Sequence, residues 1–255
     1  GTLRNRETTE NVPLLGLGLS YHLNDDSQLY GNISEAYKPL TWSDAIPSDS
    51  NQTVAGDIES SKTLSYELGY RGQTSLLNWD VSAFLIRYEN KIATVGTVVQ
   101  NSGAWTHKVF DVATELKLSQ IINKLRPVGN FNLYANLAVL DAKYTNGALD
   151  GNTPQYAPKT ITRAGIIYSK ENKIKVAFMG VFVGEHFGDD KNEDQREIPS
   201  YTVFDLTADW SFHKNWMASA GINNLFDREY YSRVRSDGII WAMDRNLYAG
   251  MTYKF

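Results

Sequence analysis

The stretch from Tyr230 to Arg245 concentrates the side chains best suited to holding a ligand: Arg233, Arg235 and Arg245, with Tyr230, Tyr231 and Trp241 among them. Arginine offers paired donors that match carboxylate or phosphate oxygens, and Tyr and Trp line a pocket with large rings that lose little entropy on ordering. The chemistry indicated is capture of an anion rather than a reaction. A second reading stays open, in which these arginines pair with Asp227, Glu229, Asp237 and Asp244 and only order a loop. Another charged segment, GDDKNEDQREIP at 188–199, has oxygen ligands for a hard cation. Lys191 and Arg196 interrupt it and its spacing follows no calcium loop, so a solvated surface loop is expected there.

Catalysis finds little support. The four histidines are His22, His107, His186 and His213, no two of them at metal-ligand spacing. There is no Gly-x-Ser-x-Gly elbow, and the absence of cysteine removes thiolate metal sites and disulfides. No metal site, no cofactor and no enzyme activity are expected. The net charge of −4, with no basic stripe, argues against nucleic acid as a partner. Fifteen Tyr, ten Phe and six Trp suit a surface that passes from apolar to wet. No apolar run is long enough for a membrane helix, which leaves strands as the only way to span one.

The elements that must position these residues read as strands. Period-2 alternation places eleven of them near 13–23, 28–38, 62–72, 77–91, 105–119, 129–143, 159–168, 173–184, 201–212, 215–225 and 245–255. In 201–212, Phe204, Leu206, Ala208, Trp210 and Phe212 share one side, opposite Asp205, Thr207, Asp209 and Ser211. In 129–140, Phe131, Leu133, Ala135, Leu137 and Val139 oppose Asn130, Asn132, Tyr134 and Asn136. Strand 173–184 is less clean, because Val181 and Val183 fall on its polar side. Short links (24–27, 73–76, 120–128, 169–172, 213–214) alternate with long ones (39–61, 92–104, 144–158, 185–200, 226–244), so all long loops gather at one end. A soluble sheet with one wet face also alternates, but it has no reason to sort its loops, whereas a transmembrane barrel does.

Several stretches resemble the TonB-dependent receptors of the bacterial outer membrane. INNLFDREYYSRVRSDGIIWAMDRNLYAGMTYKF, 222–255, resembles that family's closing hairpin, with its Asn-Asn-Leu-Phe-Asp motif and a last strand ending in Phe. ESSKTLSYELGYRG (59–72), VPLLGLGLSYHLNDDSQLYGNISEAYKPL (12–40) and WDVSAFLIRYENKI (79–92) resemble strands midway round such barrels, in the correct order. The resemblance implies an all-β, antiparallel transmembrane β-barrel, with eleven strands of a 22-stranded whole present in 1–255. A plug domain and TonB box would lie ahead of it, outside this chain, making 1–255 the C-terminal part of the barrel domain. It implies multi-pass insertion in outer-membrane lipid, an assembly signal in Met251, Tyr253 and Phe255 read by the barrel assembly machinery, and contact with TonB through the missing N-terminal region. The ligand would be a ferric siderophore or similar metal chelate, taken up without enzymatic change. RVRSDGI, 233–239, resembles the ferric citrate type. A passive porin or channel, or an outer-membrane barrel enzyme, remain the alternatives. The inward charges Glu67, Asp80, Asp111, Glu115, Asp205 and Asp209, with Arg71, Lys117, Arg163, Lys173 and Lys175, are expected to form a wet barrel wall.

Overall fold

A strand that crosses hydrocarbon must give every backbone N–H and C=O to a neighbouring strand, and the architecture follows that rule. The computed structural model describes residues 11–41, 51–95, 97–101 and 103–255; the stretch 1–10 and the part of the first long connection at 42–50 lie outside the described residues. In chain order come β1 (Gly16–Asn24), β2 (Ser27–Lys38), β3 (Thr53–Val54), β4 (Ser61–Gln73), β5 (Leu77–Glu89), β6 (Ile92–Val95), β7 (Val98–Asn101), β8 (Trp105–Lys117) and β9 (Asn130–Tyr144). They are followed by β10 (Thr160–Lys170), β11 (Ile174–Val183), β12 (His186–Phe187), β13 (Glu197–Ile198), β14 (Tyr201–His213), β15 (Trp216–Asn223), β16 (Tyr231–Arg235), β17 (Gly238–Trp241) and β18 (Asn246–Tyr253).

Eleven of these make one antiparallel sheet in the order β1-β2-β4-β5-β8-β9-β10-β11-β14-β15-β18. Each wall strand pairs with the next wall strand along the chain, and these are the eleven strands expected from alternation. The sheet is open, with β1 and β18 as its edges. In an alternating series the first and eleventh strands run the same way, so these two edges cannot close on each other with antiparallel pairing. The seven other strands were not foreseen. They are two to five residues long and form β12–β13, β16–β17 and β3–β7–β6 within the long connections, too short for a period to show in the sequence.

One link departs from the expected short turn. β8 stops at Lys117, and 118–129 winds into a single helical turn, α1 (Leu118–Ile121), and a 3-10 turn at Asn123–Leu125. Ser119, almost fully buried, holds it: its hydroxyl donates to the Gly129 carbonyl at 3.0 Å and accepts the Phe131 N–H at 2.8 Å.

Register carries the two faces across the sheet, with irregularities only at the turn ends of β1–β2 (His22/Asn24) and β14–β15 (Trp210/His213). On the apolar face, Leu85 lies beside Lys108 and Val112 opposite Leu137; Phe178 pairs with both Ile166 and Leu206, and Ala220 with both Ala208 and Ala249. At the short-turn end this face carries aromatic pairs across adjacent strands: Tyr70–Trp79 at 5.8 Å, Phe131–Tyr168 at 4.8 Å and Trp216–Tyr253 at 4.8 Å between ring centroids. Such rings belong at a lipid–water boundary. Leu19, Leu247 and Met251 stand 72%, 77% and 65% exposed to water, large apolar surface that a bilayer would cover.

The polar face is a ladder of carboxylates held by uncharged donors from neighbouring strands. The Tyr30 hydroxyl donates to Asp80 at 2.7 Å, Asn136 Nδ2 to Asp111 at 3.0 and 3.2 Å, and the Ser219 hydroxyl to Asp209 at 2.7 Å; Asn32 reaches Glu67 and Asn132 reaches Glu115 in the same way. The Tyr30–Asp80 bond spans three strands because Gly69, between them, has no side chain: a Cβ there would come within 2.2 Å of the Tyr30 ring. Gly69→Ala should therefore push Tyr30 off Asp80 and destabilise the barrel by about 1–3 kcal/mol. The midpoint of the heat-induced mobility shift of the folded full-length protein, compared with Gly56→Ala where a Cβ meets open space, is the measurement that checks it.

Candidate functional site

The long connections fold onto one another at the end of the wall. Their anchor is the Asn-Asn-Leu-Phe-Asp segment. Asn224, 4% exposed, and Asp227 both take positive φ, +52° and +55°, a region Asn and Asp tolerate better than most residues. The Asn224 N–H donates to Asp205 Oδ1 at 2.8 Å, its Oδ1 accepts the Arg228 N–H at 2.8 Å, and its Nδ2 donates to the carbonyls of Arg228 at 2.9 Å and Met243 at 3.3 Å. Asp227 Oδ1 accepts the Arg245 N–H at 2.8 Å. These bonds staple both ends of the last long loop to the wall.

The side chains of Arg233, Arg235 and Arg245 take no part in that ordering. Among the described residues, no carboxylate pairs with Arg233, Arg235 or Arg245, and all three are exposed. Asp227, the one residue of the expected ion-pair set that binds the loop, does so through a backbone N–H. The structure divides the six candidate residues. Arg233 and Arg235, two apart on β16, line a cleft of about 1210 Å³ together with Arg196, Lys191, Asp189 and Asp190. Tyr231 and Trp241 pack edge-on at 4.9 Å across the β16–β17 hairpin. Tyr230 stacks on Tyr201 at 4.2 Å; burial, then the charge of Asp205, raises its phenol above the ordinary value. Arg245 stands beside β18, away from the cleft lining. Met251 and Tyr253 face outward on the open edge of β18, and Phe255 lies beyond the strand with its ring edge-on to Tyr253 at 5.1 Å.

The other wall of the cleft comes from 145–159 and 184–200, which sequence reasoning left unassigned or read as solvated. GDDKNEDQREIP is solvated in part, with Lys191, Asp194, Gln195 and Glu197 exposed, and tied down in part, with Gly188, Asp189 and Ile198 buried. Asn192, at φ +57°, accepts the Thr153 N–H and donates to the Thr153 carbonyl, both at 2.7 Å. Asp189 accepts the Glu193 N–H at 3.2 Å, and Arg196 pairs with Glu193 at 3.3 Å. The hairpin is clamped from below by Tyr156, whose hydroxyl donates to the Val234 carbonyl at 3.3 Å. Ile198 and Val234 are almost wholly enclosed beneath it.

A fourth connection joins through Lys91. Its ammonium donates to Asp190 Oδ2 at 2.5 Å and to the Tyr144 hydroxyl, and lies over the Trp105 and Tyr144 rings at 4.9 and 4.8 Å. Burial alone would raise the Asp190 carboxyl; hydrogen bonds from Lys91, the Gln155 N–H and Tyr144, with the Lys91 charge, hold it below the usual range. An acid depressed in the folded state contributes its stabilisation in full above its ordinary pKa and loses it as pH falls through the folded value. The tie is therefore intact at neutral pH and lost in acid. An acid-induced change in Trp105 fluorescence, isolated by subtraction of Trp105→Phe, should be absent in Asp190→Asn.

Asn224→Ala leaves two carbonyls and one N–H of the loop without their partner and should cost about 2–4 kcal/mol. Faster limited proteolysis within 226–244, with the barrel's heat-induced mobility shift retained, is the expected outcome.

The comparisons agree with this geometry. A family model described as TonB dependent receptor-like, beta-barrel, matches residues 4–225. The metal-pseudopaline receptor of Pseudomonas aeruginosa (strain UCBPP-PA14) is 23% identical over 258 residues, spanning 98% of this chain and 34% of that protein. The vitamin B12 transporter of Vibrio vulnificus (strain CMCP6) is 20% identical, spanning 100% of this chain and 39% of its own. In three dimensions the unliganded ferric citrate transporter FecA superposes with a TM-score of 0.76 at 24% identity, covering 96% of this chain and 38% of that one, which shows a shared fold. The chain thus spans between a third and two fifths of the relatives it matches, which are receptors and transporters rather than enzymes. An antiparallel wall, sorted loops and a family model covering most of the length have one reading: the chain belongs to the TonB-dependent receptor family and is part of its outer-membrane β-barrel.

Proposed function

We propose that 1–255 is the C-terminal part of the barrel of a receptor that captures an anionic metal chelate, a ferric siderophore or ferric citrate first among them, for energised import across the outer membrane. The observation that carries the reading is the pair Arg233 and Arg235, side by side on a wide cleft at the long-loop end, with no carboxylate partner among the described residues. Two exposed guanidinium groups without a direct ion pair, in a cleft that also carries Asp189, Asp190, Glu193 and Asp237, suit the oxygens of an anionic chelate.

In this reading the metal is cargo and the chain supplies no cofactor and no covalent chemistry. A plug domain and TonB box would lie in the remainder of a longer protein, and eleven further strands would pair with the edges of β1 and β18 to complete a 22-stranded barrel. TonB would act on the plug, and the carboxylate-lined wall would contact it. Met251, Tyr253 and Phe255 would present the outward aromatic edge to the assembly machinery.

The test is equilibrium binding of ferric citrate to the purified full-length receptor. Saturable binding with Kd far below the millimolar range is expected, and Arg233→Gln with Arg235→Gln should weaken it about tenfold to a hundredfold, the effect of losing charged hydrogen bonds. Millimolar or non-saturable uptake, insensitive to both substitutions, would instead identify a passive channel. Tight binding of neutral cobalamin alone would overturn the anionic class while leaving the receptor intact.

A further inference from the structure

Two antiparallel strands need only a two-residue link, and at the short-turn end the links 25–26, 74–76, 171–173 and 214–215 keep close to that minimum. The link between β8 and β9, 118–129, is twelve residues long. The added length carries exposed apolar side chains rather than a core: Ile121, Ile122 and Val128 are 52%, 46% and 50% exposed. Its charges have one sign. LSQIINKLRPVG holds Lys124 and Arg126, both exposed, and no carboxylate, whereas the link 25–26 is Asp25 and Asp26.

The link is held in one shape. The Ile122 N–H donates to the Leu118 carbonyl at 2.8 Å, and the N–H groups of Val128 and Gly129 donate to the Leu125 carbonyl at 2.9 and 3.0 Å. The Arg126 guanidinium reaches back to the Ser119 carbonyl at 3.1 Å and to Gln120 Oε1 at 3.2 Å, neutral partners that leave its charge in place. The far end of the link is drawn to the lipid-facing side of the wall. Tyr168, whose ring packs on Phe131 in the outward aromatic girdle, donates its hydroxyl to the Val128 carbonyl at 3.0 Å. Gly129, at φ +152°, permits the approach, because a Cβ there would come within 2.5 Å of the Tyr168 ring. Lys170 follows Tyr168 on the same face of β10. Like Lys124, it has no ion-pair partner among the described residues.

We infer that 118–129 is an interfacial anchor: Ile121, Ile122 and Val128 seat in the boundary between acyl chains and headgroups of the leaflet at the short-turn end, and Lys124, Arg126 and Lys170 hold the phosphate of an anionic phospholipid. The inference rests on the membrane placement of the wall and not on the cargo reading. Continuity selects this occupant. The hydroxyl of a girdle tyrosine marks the level at which hydrocarbon gives way to water, and the link hangs from that hydroxyl. Exposed aliphatic side chains among cations, with no acid between them, are what a segment lying in that layer requires. A soluble acidic partner would be met by the cations alone and gives no reason for isoleucines beside the girdle.

The experiment uses the folded full-length receptor in vesicles of phosphatidylethanolamine and phosphatidylglycerol, with lipids brominated on their acyl chains as quenchers. Emission from Ile122→Trp, taken as the difference from the unsubstituted receptor, should be quenched. Trp216, read by subtraction of Trp216→Phe, reports insertion of the wall itself. Quenching of Trp216 without quenching at 122 would overturn the anchor while leaving the membrane placement intact. An unquenched but blue-shifted signal at 122 would mean that a second copy of the chain covers the link, and would overturn it equally. In detergent, with retained lipid counted by native mass spectrometry, phosphatidylglycerol should bind more tightly than phosphatidylethanolamine, by about fivefold for each cation near the headgroup. Lys124→Gln with Lys170→Gln should remove most of that preference and leave ferric citrate binding unchanged. Equal retention of the two phospholipids by the unsubstituted receptor would overturn the proposal, an arm that needs no variant to fold. Displacement by millimolar glycerol phosphate would overturn it too, by marking a free-anion site.

Discussion

Backbone hydrogen bonding in a medium without water is the constraint from which the rest follows. Each of the nine interior wall strands satisfies both of its edges, and the two outer ones, β1 and β18, satisfy only one each. Because register is kept along the strands and shifts only at two turn ends, the choice of which side chains face lipid is made once and propagated round the sheet. A shift of one residue in β14 would bring Asp205 and Asp209 to the apolar face and bury Phe204 and Trp210 among carboxylates. The inward carboxylates reinforce the register they depend on. Asn136 can reach Asp111, and Ser219 can reach Asp209, only while their strands are paired as they are.

How legible this was depended on the length of the element. Wall strands of eight to fifteen residues repeat their pattern often enough to be read, and all eleven were, even β11, where Val181 and Val183 sit on the polar face. There they neighbour Arg163 and Ile161 on β10 and Val203 and Tyr201 on β14. Near the rim the inward face is itself partly apolar, so the imperfection marks a transition and not a misplaced strand. The short pieces β12, β13, β16 and β17 carry no period, and α1 hangs on the single buried hydroxyl of Ser119.

The site was legible in composition but not in arrangement. Arg233 and Arg235 were visible as cations among aromatic rings, yet nothing in the sequence separates them from Arg245, which ends beside β18. The partners across the cleft, from Ala148 to Arg196, lie roughly 40 to 90 positions away in the chain, and long-range pairing leaves no local trace. Lys91 and Asp190 are ninety-nine residues apart. What local trace existed lay in Asn192 and Asn224: asparagines in connections where a positive φ and a side-chain amide together replace a turn of regular structure.

The division between wall and rim also explains how relatives with different cargoes share one architecture. Wall stability comes from ladders and from pairs such as Asn136–Asp111, which are indifferent to what passes through. The rim is held by a few discrete ties: Asn224 to its loop, Asn192 to Thr153, Lys91 to Asp190. None of these uses the cleft-lining arginine side chains, so substitutions at 233 and 235 leave in place what holds the loop. Where ordering and recognition are assigned to different side chains, recognition is free to vary. The named relatives are a metal-pseudopaline receptor, a vitamin B12 transporter and a ferric citrate transporter, a breadth that a rim held without its cleft-lining arginines would accommodate.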